Sequence, residues 1–439
     1  MLKRKITRDL QEWKDSSNHK PLVLSGCRQC GKTYSVLDFA NTHYEQVIYL
    51  NFYENKEFKT VFSGSLNVDT IMLNLSSVLR LPNSFEAGRT CLIFDEIQEC
   101  PEARTALKFF CIDGRYDVIC TGSLLGVSGY RNEPSSIPVG YETHLTMYPL
   151  DFEEFLWANG QDKAVINLLK QCLNEHSPVP EAIHQQMRKM LNLYTVVGGM
   201  PEVVNIFLEK KHLGLVWQQQ QDIINSYRND MVKYASRDMK ANILDCFNSI
   251  PHQLSKENKK FQYSTIRKGG RAAKYAKSIQ WIEDAGIIKR CYNLEITQLP
   301  YKGHCLTDIF KVYMVDTGLF IAMLDQSTQY DVLQGSLLGY KGAISENLIA
   351  DMLTKMHRDL FYYHKDGGVE LDFLIRYKGL STPLEVKATN GNAKSMKTIL
   401  AHPEKYDVYQ AIKLADTNVG IKNNILTLPM YMTFLLTEL

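Results

Sequence analysis

Short apolar runs alternate with helix-periodic segments over the first third of the chain. Residues 21–25 (Pro-Leu-Val-Leu-Ser), 47–50 (Val-Ile-Tyr-Leu), 91–96 (Cys-Leu-Ile-Phe-Asp-Glu) and 118–123 (Val-Ile-Cys-Thr-Gly-Ser) read as buried strands. Residues 34–40 carry apolar side chains at helical spacing. Strand and helix in alternation predict a parallel sheet covered on both faces, with ligands at the C-terminal ends of its strands. From Asp151 to about Arg237 the pattern is helical, with Phe152, Phe155 and Leu156 on one face and a break at 177–180. Gly198-Gly199-Met200-Pro201-Glu202 reads as a turn between two of these helices, because Gly-Gly supplies unusual backbone angles and Pro201 suits a helix start.

Residues 261–294 look like a winged helix. A first helix opens at 263–266, a second spans 274–285 with apolar Tyr275, Ile279, Trp281 and Ile282, and Gly286-Ile287-Ile288 begins the wing strands. Further along, 369–375 and 383–387 predict two strands joined through a Lys378-Gly379 turn, with a helix at 342–353 before them.

Candidate chemistry begins at 26–33. Gly26-Cys27-Arg28-Gln29-Cys30-Gly31-Lys32-Thr33 is a complete G-x-x-x-x-G-K-[ST] phosphate-binding loop between a strand and a helix. The glycines let backbone N–H groups close around the phosphates of ATP, Lys32 reaches the β/γ-phosphates, and the Thr33 hydroxyl holds Mg²⁺. The strand ending in Asp95-Glu96 is a Walker B pattern, in which Asp95 holds the Mg²⁺ shell and Glu96 polarises the attacking water. Thr121 and Ser123 close the next strand at the same sheet edge, placed either to sense the γ-phosphate or to cap a helix. Cys27 and Cys30 also form a C-x-x-C. No second pair follows at zinc-finger spacing and both fill variable positions of the loop, so nucleotide binding is the better account.

The C-terminal hairpin has its own polar pattern. Asp372 alternates with Leu371 and Phe373, and Glu385 and Lys387 share a face opposite Leu384 and Val386. Asp372, Glu385 and Lys387 are therefore expected to converge, two carboxylates for a divalent metal and a lysine to orient or activate water against a phosphodiester. Ordinary strand charge is the plain alternative, and Glu370 would stand in for Asp372 if the register slipped by two.

Taken together, Gly26 to Thr33, residues 92–98, Thr121-Gly122-Ser123 and residues 148–156 resemble prokaryotic AAA-superfamily ATPases that carry a C-terminal domain of unknown function. The likeness spans nearly the whole chain. In that family a Gly-Arg pair precedes the Tyr-Pro-Leu segment and is a candidate phosphate-sensing arginine; here Tyr141 follows Gly140. Arg131 is a nearby substitute, and otherwise a neighbouring subunit supplies the group, a contribution worth on the order of 10³ in rate. The D…E-x-K set resembles the PD-(D/E)xK nucleases, a likeness that extends to Glu346 in the 342–353 helix as a further metal-binding acid. These resemblances imply an α/β multidomain chain: an AAA-type P-loop NTPase parallel sheet at 1–150, a helical lid or linker at 151–240, a winged-helix-like unit at 241–300 and an α/β restriction-endonuclease-like domain at 301–439.

Composition bounds this picture. A chain of 439 residues suggests two to four domains. Apolar content of 45% with 22% charged residues is that of a globular protein. A net charge of +2 makes no global case for nucleic acid, so a basic surface must be local. Lys259, Lys260, Arg267, Lys268, Arg271, Lys274 and Lys277 supply one, read either as a DNA-groove contact or as the solvated face of a packing module. Ten scattered cysteines fit a reducing compartment, and no signal-peptide hydrophobic region or run of eighteen apolar residues appears, so a cytoplasmic protein without a membrane anchor is expected. The leading expectation is an ATPase acting on nucleic acid, DNA ahead of RNA, with or without a homo-oligomer. Its rival is an ATP-dependent switch that binds a protein partner, the nuclease-like fold serving as an inactive scaffold.

Overall fold

The computed structural model describes residues 2–81, 85–122, 140–236, 238–256, 260–336, 340–365, 368–387 and 394–437. Ser123, Arg131 and Lys259 lie outside the described residues.

Five strands, β1 (Leu22–Ser25), β2 (Gln46–Asn51), β3 (Thr90–Asp95), β4 (Asp117–Thr121) and β5 (Thr143–Thr146), form a sheet in the order β2-β3-β4-β1-β5 with every pair parallel. Strand alternation explains its two covered faces. Leu22, Leu24, Cys91, Ile93 and Ile119 pack under the helices Ile6–Asp15 and Lys32–His43, while Val23, Leu92, Phe94, Val118 and Cys120 meet Ile71, Leu75, Leu107 and Phe110 on the other side.

A second, mixed sheet has eight strands: β6 (Ile288–Leu294), β7 (Cys305–Met314), β8 (Leu360–His364), β9 (Glu370–Tyr377), β10 (Leu380–Lys387), β11 (Ala411–Ala415), β12 (Gly420–Lys422) and β13 (Ile425–Pro429). Their order is β12-β13-β11-β10-β9-β8-β6-β7. Lys378 and Gly379 both take positive φ (50° and 79°), the twist that a two-residue hairpin between β9 and β10 requires. The strand expected to begin the wing, β6, pairs with β7 and with β8. The boundary expected at residue 300 thus falls inside a hairpin that extends the C-terminal sheet.

Between the sheets lie the helices Phe152–Ala158, Lys163–Glu175, Glu181–Val197, Pro201–Lys210, Leu213–Tyr234, Lys240–Leu254 and Ala272–Asp284. One apolar core runs from Leu150 through these helices to Leu436, so the helical segment and the C-terminal sheet are packed as one body. No helix among the described residues is long and apolar enough to cross a membrane.

The Gly198-Gly199 turn does more than change chain direction. Gly198 has φ +74°, and a Cβ there would lie 2.2 Å from Asp316 Oδ1; a Cβ on Gly199 would lie 2.0 Å from the Leu150 carbonyl oxygen. Backbone hydrogen bonding fills the same space: Leu150 N–H donates to Gly199 O at 2.7 Å, and Gly199 N–H donates to Asp316 Oδ2 at 2.7 Å. Lys355 closes the joint, donating to Leu150 O at 3.2 Å and pairing with Asp351 at 2.7 Å.

Gly199→Ala should therefore cost at least the about 1–3 kcal/mol typical of overpacking, because the obstructing atoms are backbone. A urea denaturation series on both proteins measures it; an unchanged midpoint would contradict the close packing.

Candidate active site

The phosphate-binding loop hangs between β1 and the helix Lys32–His43. Gly26 (φ +150°) leaves no room for a side chain, since a Cβ would sit 2.1 Å from Met147 O. Gly31 (φ +97°) starts the helix from a left-handed conformation. A glycine-rich loop at the start of a helix is the kind of place where backbone N–H groups and the helix N-terminus receive an anion. Lys32 lies folded on this loop, donating to the carbonyls of Gly26 (2.9 Å) and Cys27 (2.8 Å).

Asp95 ends β3 beside the loop. Thr33 Oγ1 donates to its Oδ2 at 3.1 Å, Tyr49 OH donates to Oδ2 at 2.7 Å, and the Thr121 hydroxyl donates to Oδ1. Thr33 and Asp95 thus present a hydroxyl and a carboxylate, hard oxygen donors of the kind Mg²⁺ takes, at the mouth of the loop. Glu96 follows in a left-handed conformation (φ +51°) that turns the chain at the sheet edge, and its carboxylate accepts from Gln98. Tyr49 and Gln98 were not among the sequence candidates.

Two contacts tie the loop to the long helix Leu213–Tyr234. Arg28 Nη1 meets Asp230 Oδ1 at 2.5 Å, and Tyr227 OH donates to Arg28 O at 3.2 Å. Burial works against the Arg28 charge, yet Asp230 holds the guanidinium above its ordinary range. Gln29 is exposed, with φ +65°. Near the position of the missing arginine, the Lys108 ammonium lies 5.4 Å over the Tyr141 ring.

The D…E-x-K residues lie together on β9 and β10. The hairpin pairs Phe373 with Leu384, and Asp372, one step beyond, accepts from Val386 N–H through Oδ2 at 2.8 Å. Glu385 Oε1 and Lys387 Nζ pair at 2.5 Å. Glu346, from the helix Lys341–Lys355, accepts from Tyr313 OH at 3.0 Å. The unforeseen member is Lys311 of β7, 1% exposed, whose Nζ is 3.3 Å from Glu370 and 3.9 Å from Glu346. Burial disfavours its charge, but Glu346, Asp372 and Glu370 hold the ammonium above lysine's usual range. An ammonium therefore stands among the carboxylates expected to share a divalent metal. Among the described residues no group of three or more His, Cys, Asp and Glu is arranged to hold a metal ion. The available signal was a lysine inside the apolar run Ile309-Phe310-Lys311-Val312-Tyr313.

With both geometries in hand, comparison with known proteins assigns the N-terminal part. Residues 18–156 match the AAA domain family. This part is similar to AAA-type P-loop ATPase domains. Residues 188–330 and 341–431 match two domains of unknown function, DUF8612 and DUF4143. An uncharacterized protein of Methanocaldococcus jannaschii is 24% identical over 369 residues, covering 81% of this chain and 72% of the relative. Among solved structures, the Walker-type ATPase paby2304 of Pyrococcus abyssi aligns with TM-score 0.44 and 15% identity, over 74% of this chain and 96% of that one. The Aeropyrum pernix ORC1 protein in complex with DNA aligns with TM-score 0.29 and 13% identity, over 75% and 91%.

Two outcomes test the C-terminal cluster. Lys311→Met strands buried carboxylates without their cation and should cost about 3–5 kcal/mol, read from denaturant midpoints, whereas a purely peripheral lysine would leave them unmoved. The Asp372 carboxyl is pushed up to about 8, first by burial and then by Glu346 and Glu385. A folded value above the unfolded one, about 3.9, means its stabilising contribution is complete below about pH 4 and is lost as pH rises through about 8. Asp372→Asn should flatten stability between pH 5 and 9; an unaltered slope would assign it to other groups.

Proposed function

We propose that the chain is an Mg²⁺-dependent ATPase that couples nucleotide binding and hydrolysis to nucleic acid, held by the basic helical unit around Ala272–Asp284 and by the C-terminal α/β unit. The observation that carries the ATPase reading is the 3.1 Å contact between Thr33 and Asp95 at the mouth of the loop, with Glu96 next along the chain. Lys32 leaves the Gly26 and Cys27 carbonyls to meet the β/γ-phosphates, and the loop N–H groups hold the remaining phosphate oxygens. Thr33 and Asp95 would hold Mg²⁺, which when bound neutralises charge on the transferred phosphoryl group. Glu96 orients the attacking water, and Thr121 shares the Asp95 carboxylate at the γ-phosphate side.

The nucleic-acid half of the reading is supported by placement. In Ala272–Asp284 the residues Tyr275, Ile279, Trp281 and Ile282 are buried, while Arg271, Lys274 and Lys277 at its start are exposed. A short helix Tyr263–Ile266 precedes it and the β6–β7 hairpin follows, an order that suits a winged helix with its second helix toward a DNA groove. For the D…E-x-K cluster, two readings differ. Glu346, Asp372, Glu385 and Lys387 suit metal-dependent phosphodiester cleavage. The Lys311 ammonium among them favours the second reading, an uncut substrate on a nuclease-like scaffold under control of an ATP switch.

Lys32→Ala should abolish ATP binding measured by calorimetry, while Glu96→Gln should still bind ATP with turnover reduced by about 10²- to 10⁴-fold. Full turnover in Lys32→Ala would overturn the ATPase assignment. Labelled DNA incubated with Mg²⁺ or Mn²⁺ separates the two C-terminal readings: cleavage lost in Asp372→Ala supports the nuclease, and intact DNA supports the scaffold.

A further inference from the structure

The last turns of the long helix Leu213–Tyr234 touch the C-terminal edge of the first sheet at two points. Asp230 pairs with Arg28 of the phosphate-binding loop at 2.5 Å. Three residues later Lys233 Nζ donates to Tyr53 OH at 3.0 Å, just past the end of β2, where Asn51 lies in register with Asp95.

The Arg28–Asp230 pair is unequally enclosed. The Arg28 side chain is 41% exposed and that of Asp230 9%, so the guanidinium is open to an incoming ligand while the carboxylate is shut in. Tyr227 OH fixes Arg28 through its backbone carbonyl, at 3.2 Å, and places no restraint on the side chain. By contrast Arg4, which also reaches this loop, is held by Cys30 O (3.0 Å), Tyr148 O (2.6 Å) and Glu154 (3.2 Å).

Phosphoryl transfer gathers negative charge on the oxygens of the moving group, and an arginine beside them is worth on the order of 10³ in rate. With Tyr141 after Gly140, that arginine has to come from elsewhere in the fold.

We propose that Arg28 binds the terminal phosphate of ATP, and that Asp230 competes with that phosphate for it. The inference rests on the ATPase reading of the loop.

Position and chemistry support the exchange. Arg28 belongs to the loop whose backbone N–H groups hold the phosphates, so its side chain reaches them by rotation about its own bonds. Burial opposes the Arg28 charge, and Asp230 and then Glu96 favour it, which sets the guanidinium in the field of the residue that orients water. A terminal phosphate carries more charge than a carboxylate and takes two parallel N–H bonds from a guanidinium fork. Asp230 keeps a cation when Arg28 turns away, because Lys233 stands one turn further along the same helix. ADP has no terminal phosphate and leaves the pair intact.

The competition has a signature. An arginine shared with Asp230 serves ATP only for the fraction of time that the pair is open, and the apparent affinity falls by that fraction. Neutralising Asp230 removes the competitor, whereas truncating Arg28 removes the ligand. The two halves of one ion pair therefore act on ATP with opposite sign, which a purely structural pair cannot do.

The test titrates the full-length protein and its Arg28→Ala, Asp230→Asn and doubly substituted variants by calorimetry, with Mg²⁺, against ADP and the β,γ-imido analogue of ATP. Steady-state ATPase rates accompany each titration. Arg28→Ala should weaken the analogue by about tenfold or more, change ADP by less than about twofold, and slow turnover by on the order of 10³. Asp230→Asn should tighten the analogue by about threefold or more and leave ADP unmoved. The double variant, which strands no carboxylate, should match Arg28→Ala, and it carries the test if Arg28→Ala folds poorly. Weaker analogue binding in both single variants, or a loss in Arg28→Ala shared equally by ADP, overturns the proposal and leaves the ATPase reading intact. Wild-type protein that binds neither nucleotide overturns both.

Discussion

The backbone of Leu150 has no spare volume beside it, and both halves of the molecule converge there. Its N–H and carbonyl are packed against Gly199, and its carbonyl also accepts from Tyr194 OH (2.9 Å) and from Lys355. Lys355, 1% exposed, is paired with Asp351 at 2.7 Å and lies 3.7 Å from Asp316, which in turn holds Gly199 N–H. Each buried charge in the joint has an opposite charge or backbone donors for partners, the condition under which ionised groups survive in an interior. Removing any one of them would leave another uncompensated.

That joint lies between the two candidate sites along a short physical route. Met147 supplies the carbonyl that forbids a side chain at Gly26, and three residues later Leu150 meets Gly199 and Lys355. Lys355 ends the helix Lys341–Lys355, and the same helix carries Glu346 to the cluster around Lys311. Packed backbone and one helix thus connect the phosphate-binding loop to the D…E-x-K cluster. The long helix Leu213–Tyr234 offers a second attachment, through Asp230 and Tyr227 to Arg28.

What sequence made legible was local. The phosphate-binding loop, the strand ending in Asp95, and the Lys378-Gly379 hairpin each depend on spacing within a dozen residues, where periodicity and turn chemistry are decisive. Gly198-Gly199 was read as a turn, and it is one, but its glycines are demanded by Leu150 and by Asp316, 117 residues away from Gly199. Asp230 was invisible for the same reason, standing 202 residues from Arg28. Lys311 left a trace, a charge within an apolar run, yet its meaning required knowing which acids face it. The domain boundary at residue 300 followed helix patterns and could not register that β6 pairs with β8, some seventy residues on.

The central claim is that nucleotide turnover at the loop is coupled to nucleic acid. The most direct measurement is the steady-state ATPase rate of the full-length protein, alone and with DNA or RNA, at two salt concentrations. The account predicts that nucleic acid stimulates turnover, DNA more than RNA, and that the stimulation weakens at the higher salt as phosphate contacts are screened. A rate indifferent to both polymers at both salts would contradict it.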